Sequence, residues 1–319
     1  MKIIKRKSIW RDVLVKLAPP LLFGAVSLCV PSAPATAQQI ADPHFNAKVE
    51  HPAYTKNFPR VLFDEAHNNF HTTTGRYKPF ADLLFNDGYH VAVNRKPFAR
   101  ESLQTFKILV IVNALGGEDM DESGADSPAF SDAECDAVRD WIKGGGALLF
   151  VAEYAPFGAA AQTLAKRLGV DMSNAFTADP ANSDQESRIP SLIVYSRQNH
   201  LLIDHPITNG RNDSERVNRI IAFTGQSLKG PDGSDAFMKL ADSAVDNVPS
   251  TSESRSAAGR AQGIAFRLGK GRVVVLGEAG MITAQVTGSD NRPFGMNIPD
   301  IDNKQLALNI MHWLSGLLK

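Results

Sequence analysis

Apolar positions along residues 59–168 follow two alternating rhythms. Short solid runs stand in RVLFDE, YHVAVN, KILVIVN and ALLFVAE, and between them apolar residues recur three and four apart. A short continuous run bounded by turn residues predicts a strand covered on both faces, whereas the three-and-four spacing predicts one buried stripe of a helix. Over residues 77–87 that stripe is Phe80, Leu83 and Leu84, and over residues 132–143 it is Cys135, Val138 and Ile142, flanked by Trp141. Ser131 and Glu134 have capping-box spacing before the second helix, and Gly144-Gly145-Gly146 stops it. A third helix is expected over residues 159–168. Strands alternating with helices through short Gly turns predict a doubly wound, mainly parallel α/β sheet.

From residue 170 to 262 the rhythm breaks. TADPANSDQES, KGPDGSD and NVPSTSESRSAAGR are rich in turn residues, and SLIVYS and RIIAF are the short apolar runs between them. The expectation is an elaboration of short strands and long loops on one domain spanning residues 59–319. GIAFRLGKGRVVVLGE then predicts a C-terminal hairpin through Gly-Lys-Gly, and residues 304–318 predict a closing amphipathic helix with Asp302 as its cap. His312 falls inside that helix as a packed or surface residue. His205, in HPITNG, reads as part of a turn.

Composition changes the picture at the N-terminus. Lys2, Lys5, Arg6, Lys7, Arg11 and Lys16 precede an apolar stretch over residues 17–30, and Ala35-Thr36-Ala37 has the small-x-small pattern of a cleavage site. Residues 1–37 are therefore expected to be an export signal, residues 38–58 a polar N-terminal arm, and the protein periplasmic or secreted, with no transmembrane segment after cleavage. Formal charge is zero over the whole chain, but without residues 1–37 there are 28 basic and 33 acidic residues. A mildly acidic chain lacks the basic footprint of a nucleic-acid partner. Cys135 alone would remain, so no internal disulfide forms, and its place on a buried stripe marks it as core.

Four strand runs end on polar groups: Asp64 and Glu65, Asn113, Glu153, and Glu278. In an open α/β sheet, ligands bind outside the carboxyl ends of the strands, so these residues are the candidate ligand contacts, joined by His67 and Asn68 from VLFDEAHNNFHTTTGRY. Asp64, His67 and His71 offer one oxygen and two imidazoles, but NNFHTTTG favours a loop over the helix that would align them. No metal site and no cofactor are assigned. The chain has no Gly-x-Ser-x-Gly elbow, Walker loop or Gly-x-Gly-x-x-Gly fingerprint.

VLFDEAHNN, YKPFADLLFNDGYHV, LVIVNALGG, FSDAECDAVRDWIKGGGALLFVAE, HPITNG, GKGRVVVLGEAGMIT and DNKQLALNIMHWL together resemble the class I glutamine amidotransferase-like superfamily. The resemblance is to its bacterial branch related to trehalose-utilisation-like and gliding-motility auxiliary proteins, and it implies a flavodoxin-like sheet. Family members with glutaminase activity carry a Cys nucleophile at a strand-to-helix elbow. The matching LLFVAEYAPFG has Glu153 and Tyr154 there, and the His-x-Glu that completes the triad is not found near Glu278. Two functions follow as expectations. One is a non-catalytic module binding a small polar ligand, such as a sugar or envelope fragment, or an envelope protein partner. The other is a periplasmic hydrolase in which Asp64, Glu153 or Glu278 acts as base with His67 as acid, alone or metal-assisted.

Overall fold

The computed structural model describes residues 39–319 other than Ser250, Ser252 and Ser289, so the expected export signal lies outside the described residues. The first part of the chain gives β1 (Ile40–Ala41), β2 (Arg60–Asp64), α1 (Lys78–Asn86), β3 (His90–Asn94), α2 (Arg100–Leu103), β4 (Ile108–Val112), α3 (Asp132–Lys143), β5 (Ala147–Val151) and α4 (Phe157–Arg167). The middle gives β6 (Asp171–Met172), β7 (Phe176–Ala178), β8 (Ile193–Ser196), α5 (Pro206–Asn209), β9 (Arg219–Ala222), β10 (Leu228–Lys229), β11 (Asp235–Lys239), β12 (Val245–Val248) and β13 (Glu253–Ser256). The last part gives β14 (Ala261–Leu268), β15 (Gly271–Leu276), β16 (Ala284–Thr287), β17 (Arg292–Gly295) and α6 (Asn303–Ser315).

The central sheet runs β3-β2-β4-β5-β15-β14-β10-β6, with β11 also on β14. Its first five strands are mutually parallel. Counted as they occur along the chain, those five stand in the order 2-1-3-4-5, the flavodoxin-like doubly wound arrangement, whose switch point lies between β2 and β4. Every residue of β4 and β5 is buried, which is why both read as unbroken apolar runs. One apolar layer packs α1 and α6 on the sheet through residues such as Phe80, Leu83, Leu306 and Ile310. The opposite layer packs α3 and α4 through Val138, Ile142, Phe157 and Leu164. Cys135 belongs to this second layer, free and fully buried, and burial pushes its thiol up to about 11.

The hairpin forms where Gly-Lys-Gly placed it, with β14 and β15 antiparallel from Gly263↔Leu276 to Leu268↔Gly271. Gly269 turns at φ 61°, and a Cβ there would come within 2.8 Å of the Lys143 carbonyl, so the turn requires glycine. The elaboration is more integrated than loops over a surface. β6, β10 and β11 extend the central sheet with antiparallel pairings, and β7, β12 and β13 form a separate three-stranded sheet. Runs of two to five residues are too short to carry a period, so only tertiary pairing reveals them. The N-terminal arm docks through β1 on β16.

One terminal detail differs from expectation. Asp302 does occupy the N-cap of α6, but its side chain makes no cap bond and instead accepts from the Asn218 and Arg219 amides at 2.7 and 3.0 Å. His312 is 1% exposed and bonds Asp87 at 2.7 Å. His205 is the N-cap of α5, its Nδ1 accepting from the Ile207 amide, as a turn-forming role requires. Among the described residues, no helix is long and apolar enough to cross a membrane.

Candidate functional site

The carboxyl ends of β2, β4, β5 and β15 carry two polar clusters. The first begins at Asp64, the last residue of β2 and fully buried. Its Oδ1 accepts from Asn94 at 2.9 Å, and its Oδ2 accepts from His67 Nδ1 at 2.8 Å and Asn69 at 3.2 Å. His67 Nε2 meets Glu134 Oε1 at 2.8 Å, across 67 residues of sequence. Both ring nitrogens thus face carboxylate oxygens, which only accept, so both carry hydrogen and the ring is an imidazolium. The Phe98 and Phe130 rings pack on it, each 4.7 Å away.

The electrostatics agree with that assignment. Burial by itself pulls the His67 pKa down, but the bonds and charges of Asp64 and then Glu134 outweigh it and hold the pKa above its ordinary value. Burial likewise pushes Glu134 up, and the His67, Ser131 and Phe98 donors overcome this, lowering it to about 2. Glu134 is the residue that sequence reasoning assigned to helix capping alone. The capping box does form, with Ser131 N donating to Oε2 at 3.0 Å, while Oε1 turns inward to His67 and the Phe98 amide. A Glu used at a cap while also 9% exposed is the one signal that would have marked it, and burial is not readable from spacing.

The second cluster joins the ends of β4, β5 and β15. Asn113, in the left-handed region at φ 45°, donates to Glu153 Oε2 at 2.8 Å and accepts from the Glu153 amide at 3.0 Å. Its amide nitrogen also donates to His71 Nδ1 at 3.1 Å. Glu153 Oε1 accepts from the Ala279 amide at 3.2 Å, and the Glu153 charge acts on the buried Glu278 carboxyl. Glu278 takes the Gly280 and Met281 amides at 2.6 and 2.7 Å. Burial and then the Glu153 charge raise the Glu278 pKa well above the carboxylate range. Burial raises Glu153 too, against the pull of Asn113, Ala279, Glu278 and Arg76.

The remaining candidates fall around these clusters. Glu65 is half-buried and staples its own loop, accepting from the Thr73 amide at 2.8 Å and the Thr73 hydroxyl at 2.7 Å, with Arg95 at 3.5 Å. Asn68 is exposed at φ 47°. Asn113, Glu153 and Glu278 therefore come together, and Asp64 with His67 lies beside them, joined through Asn69, which donates to the Val112 carbonyl at 3.2 Å. His67 and His71 belong to different clusters. Among the described residues, no group of three or more His, Cys, Asp or Glu side chains is arranged to hold a metal ion. At the mouth of the second cluster sequence reasoning missed Arg76, half-buried over the Phe70 ring at 4.6 Å, whose charge acts on Glu153 and Tyr154. Tyr154, half-buried, stacks on Phe176 at 4.4 Å.

His71 gives a pH expectation. Burial, with the Arg76 charge beside it, depresses its pKa to about 3, so the folded protein holds it neutral where the unfolded chain protonates it near 6.5. The unfolded state then binds the extra proton, and stability falls as pH drops from about 6.5 toward 3. Urea midpoints measured across that window should decline toward acid, and His71→Gln should flatten part of the decline. An unchanged slope would show that His71 is not held neutral.

No family model matches the chain, and no curated protein matches it. Solved structures do. The N-terminal domain of mmIFT52 is 14% identical with a TM-score of 0.56, over 81% of this chain and 97% of that one. A putative ThuA-like protein from Bacteroides uniformis is 14% identical at TM-score 0.43, over 83% of this chain and 93% of that one. A putative GMP synthase component from Thermoplasma acidophilum is 10% identical at TM-score 0.41, over 81% and 94%. At such an identity the likeness to the mmIFT52 domain shows the fold alone.

Proposed function

We propose that this protein is an exported, non-catalytic amidotransferase-like module that binds a small polar ligand, a sugar or envelope fragment, at the mouth of the Glu153 cluster. One observation carries the reading. At the position after β5 where a nucleophile would stand, the Glu153 carboxyl is committed to Asn113 and the Ala279 amide. The imidazole of its own cluster, His71, accepts the Asn113 amide on Nδ1 and is pressed by burial to a pKa of about 3, too weak for a general base, and His67 has given both nitrogens to carboxylates. A nucleophile and a free base within hydrogen-bond reach are the minimum for covalent or general-base hydrolysis. Around the cluster stand the partly buried Arg76 guanidinium, the Tyr154 phenol and the Phe70 and Phe176 rings, groups that stack on and hydrogen-bond a sugar. The export half of the reading rests on the basic and apolar pattern of residues 1–37.

The hydrolase reading draws on Glu153 and Glu278, since two buried carboxyls with raised pKa values also serve acid-base chemistry. One set of measurements separates the two. A thermal-shift screen of sugars and muropeptides should give a ligand that stabilises wild type, with the response lost in Arg76→Gln/Tyr154→Phe. Turnover in an esterase, deacetylase or glycosidase panel that disappears in Glu153→Gln would instead establish the hydrolase. If no compound in the screen stabilises wild type selectively, the ligand site is wrong.

A further inference from the structure

We infer that the amino-end rim of the central sheet, opposite the edge that carries the polar clusters, is a docking surface for a bilayer containing anionic phospholipid. All five parallel strands begin at this rim. α1 ends there just before β3 and α3 just before β5, and α6 ends there beside β15, where Arg272 donates to the Leu318 carbonyl at 2.6 Å.

A row of basic side chains follows the strand starts. Arg60 opens β2, Lys107 precedes β4, Lys143 ends α3 and Lys270 turns the hairpin before β15. The chain holds them in succession: the Lys107 amide donates to the Arg60 carbonyl at 2.9 Å, Lys107 Nζ to the Gly145 carbonyl at 3.4 Å, and the Lys270 amide to the Lys143 carbonyl at 3.0 Å. All four side chains are exposed, and none forms an ion pair among the described residues. Arg139, Arg167, Arg197, Arg211 and Arg260, by contrast, each hold an Asp or Glu. The carboxylates nearest the row are spoken for: Asp136 takes Arg139 and Arg167, and Asp140 takes Arg139. The negative end of the α3 dipole accounts for Lys143 by itself, but Arg60, Lys107 and Lys270 lie outside helices.

Apolar exposure singles out the same rim. Five large apolar side chains are exposed among the described residues, and three of them stand here. Phe85, 72% exposed, is in the last turn of α1, Phe58 stacks on His90 at the start of β3, and Leu317 follows α6. Between α2 and α3 a cavity of about 590 Å³ adds the Phe106 and Trp141 rings and Arg100, and Arg60 lies over the Phe106 ring at 4.4 Å. Aromatic and aliphatic groups interleaved with cations are the chemistry of a membrane interface, where the first enter the boundary between headgroups and acyl chains and the second meet lipid phosphates. A second copy of the chain fits poorly, because a two-fold contact would set the basic row against itself. Docked on this rim, the protein turns the Glu153 and Asp64 clusters away from the bilayer.

Co-sedimentation with vesicles tests this, using a chain that begins at Gln38. That form omits the basic and apolar residues 1–37, a lipid-binding pattern in their own right, and keeps both apolar layers of the fold. Vesicles of phosphatidylcholine and phosphatidylglycerol in equal parts should bind it, vesicles of phosphatidylcholine alone should not, and added salt should release it. The partition coefficient should fall at least tenfold in Lys107→Gln/Lys143→Gln/Lys270→Gln, and also in Phe58→Ser/Phe85→Ser. Lys229→Gln/Lys239→Gln/Arg255→Gln removes the same charge from exposed positions away from the rim and should bind as the parent does. Melting temperatures close to the parent's confirm that each variant is folded. No binding to the anionic vesicles, equal binding to the neutral ones, or equal losses in the two triple variants would overturn the surface. So would a lipid-free dimer that dissociates in the rim variant, which assigns the rim to a second copy, or polyglutamate binding as tight as vesicle binding, which assigns it to an acidic protein.

Discussion

Asp64→Ala is expected to lower unfolding stability by about 3–5 kcal/mol, the range for breaking a buried charge pair from one side. Asp64 is fully buried and accepts from Asn94, His67, Asn69 and the Ala66 amide. Its removal leaves the His67 imidazolium with Glu134 alone and strands the amide donors of Asn94 and Asn69 around a small hole. Asp64→Asn should cost nearly as much, because it keeps the volume but replaces an accepting oxygen with a donor facing donors. Urea midpoints read the effect, and a loss under about 1 kcal/mol would mean that the network relaxes around the change.

Glu134→Ala should cost about 3 kcal/mol or more, well beyond the roughly 1 kcal/mol for losing a cap, which Ser131→Ala measures by itself. The excess belongs to His67 and has a pH signature. The folded pKa of His67 is raised, so its contribution is complete below the ordinary 6.5 and is lost as pH climbs through the folded value. The folded pKa of Glu134 is depressed to about 2, so its contribution is complete above 4.5 and is lost as pH falls toward 2. The stability difference between wild type and Glu134→Ala should therefore be largest between about pH 4.5 and 6.5 and shrink on both sides. Ser131→Ala should show no alkaline limb. A flat difference for Glu134→Ala would show that Glu134 acts only as a cap. Since Asp64 and Glu134 share His67, the double variant should lose less than the two singles combined.

Much of the scaffold was legible before any coordinates. β2, β3, β4 and β5 fall within the apolar runs that predict them, and α3 occupies residues 132–143 with the capping box as read. α1 and α4 shift by one or two residues, at ends where Pro79 and Pro156 reset the first turn. The candidate site was legible as a set of strand ends and not as a set of partners. Asp64, Asn113, Glu153 and Glu278 were named because each follows an apolar run, whereas Glu134 and Arg76 were not, since one reads as a cap and the other as a loop residue.

The sequence by itself determined the alternation of strands and helices, the hairpin turn and the core role of Cys135, because each depends on neighbours within about one helical turn or one strand. The tertiary structure alone decided which polar groups meet. Glu134 reaches His67 across 67 residues and Asp87 reaches His312 across 225, and the sheet order that aligns Asn113 with Glu153 and Glu278 exists only after the crossovers have packed. Apolar periodicity is a local property of the chain. A hydrogen bond between buried groups is set by where whole elements come to rest, and so the pattern marked which polar residues end the strands but not which of them meet.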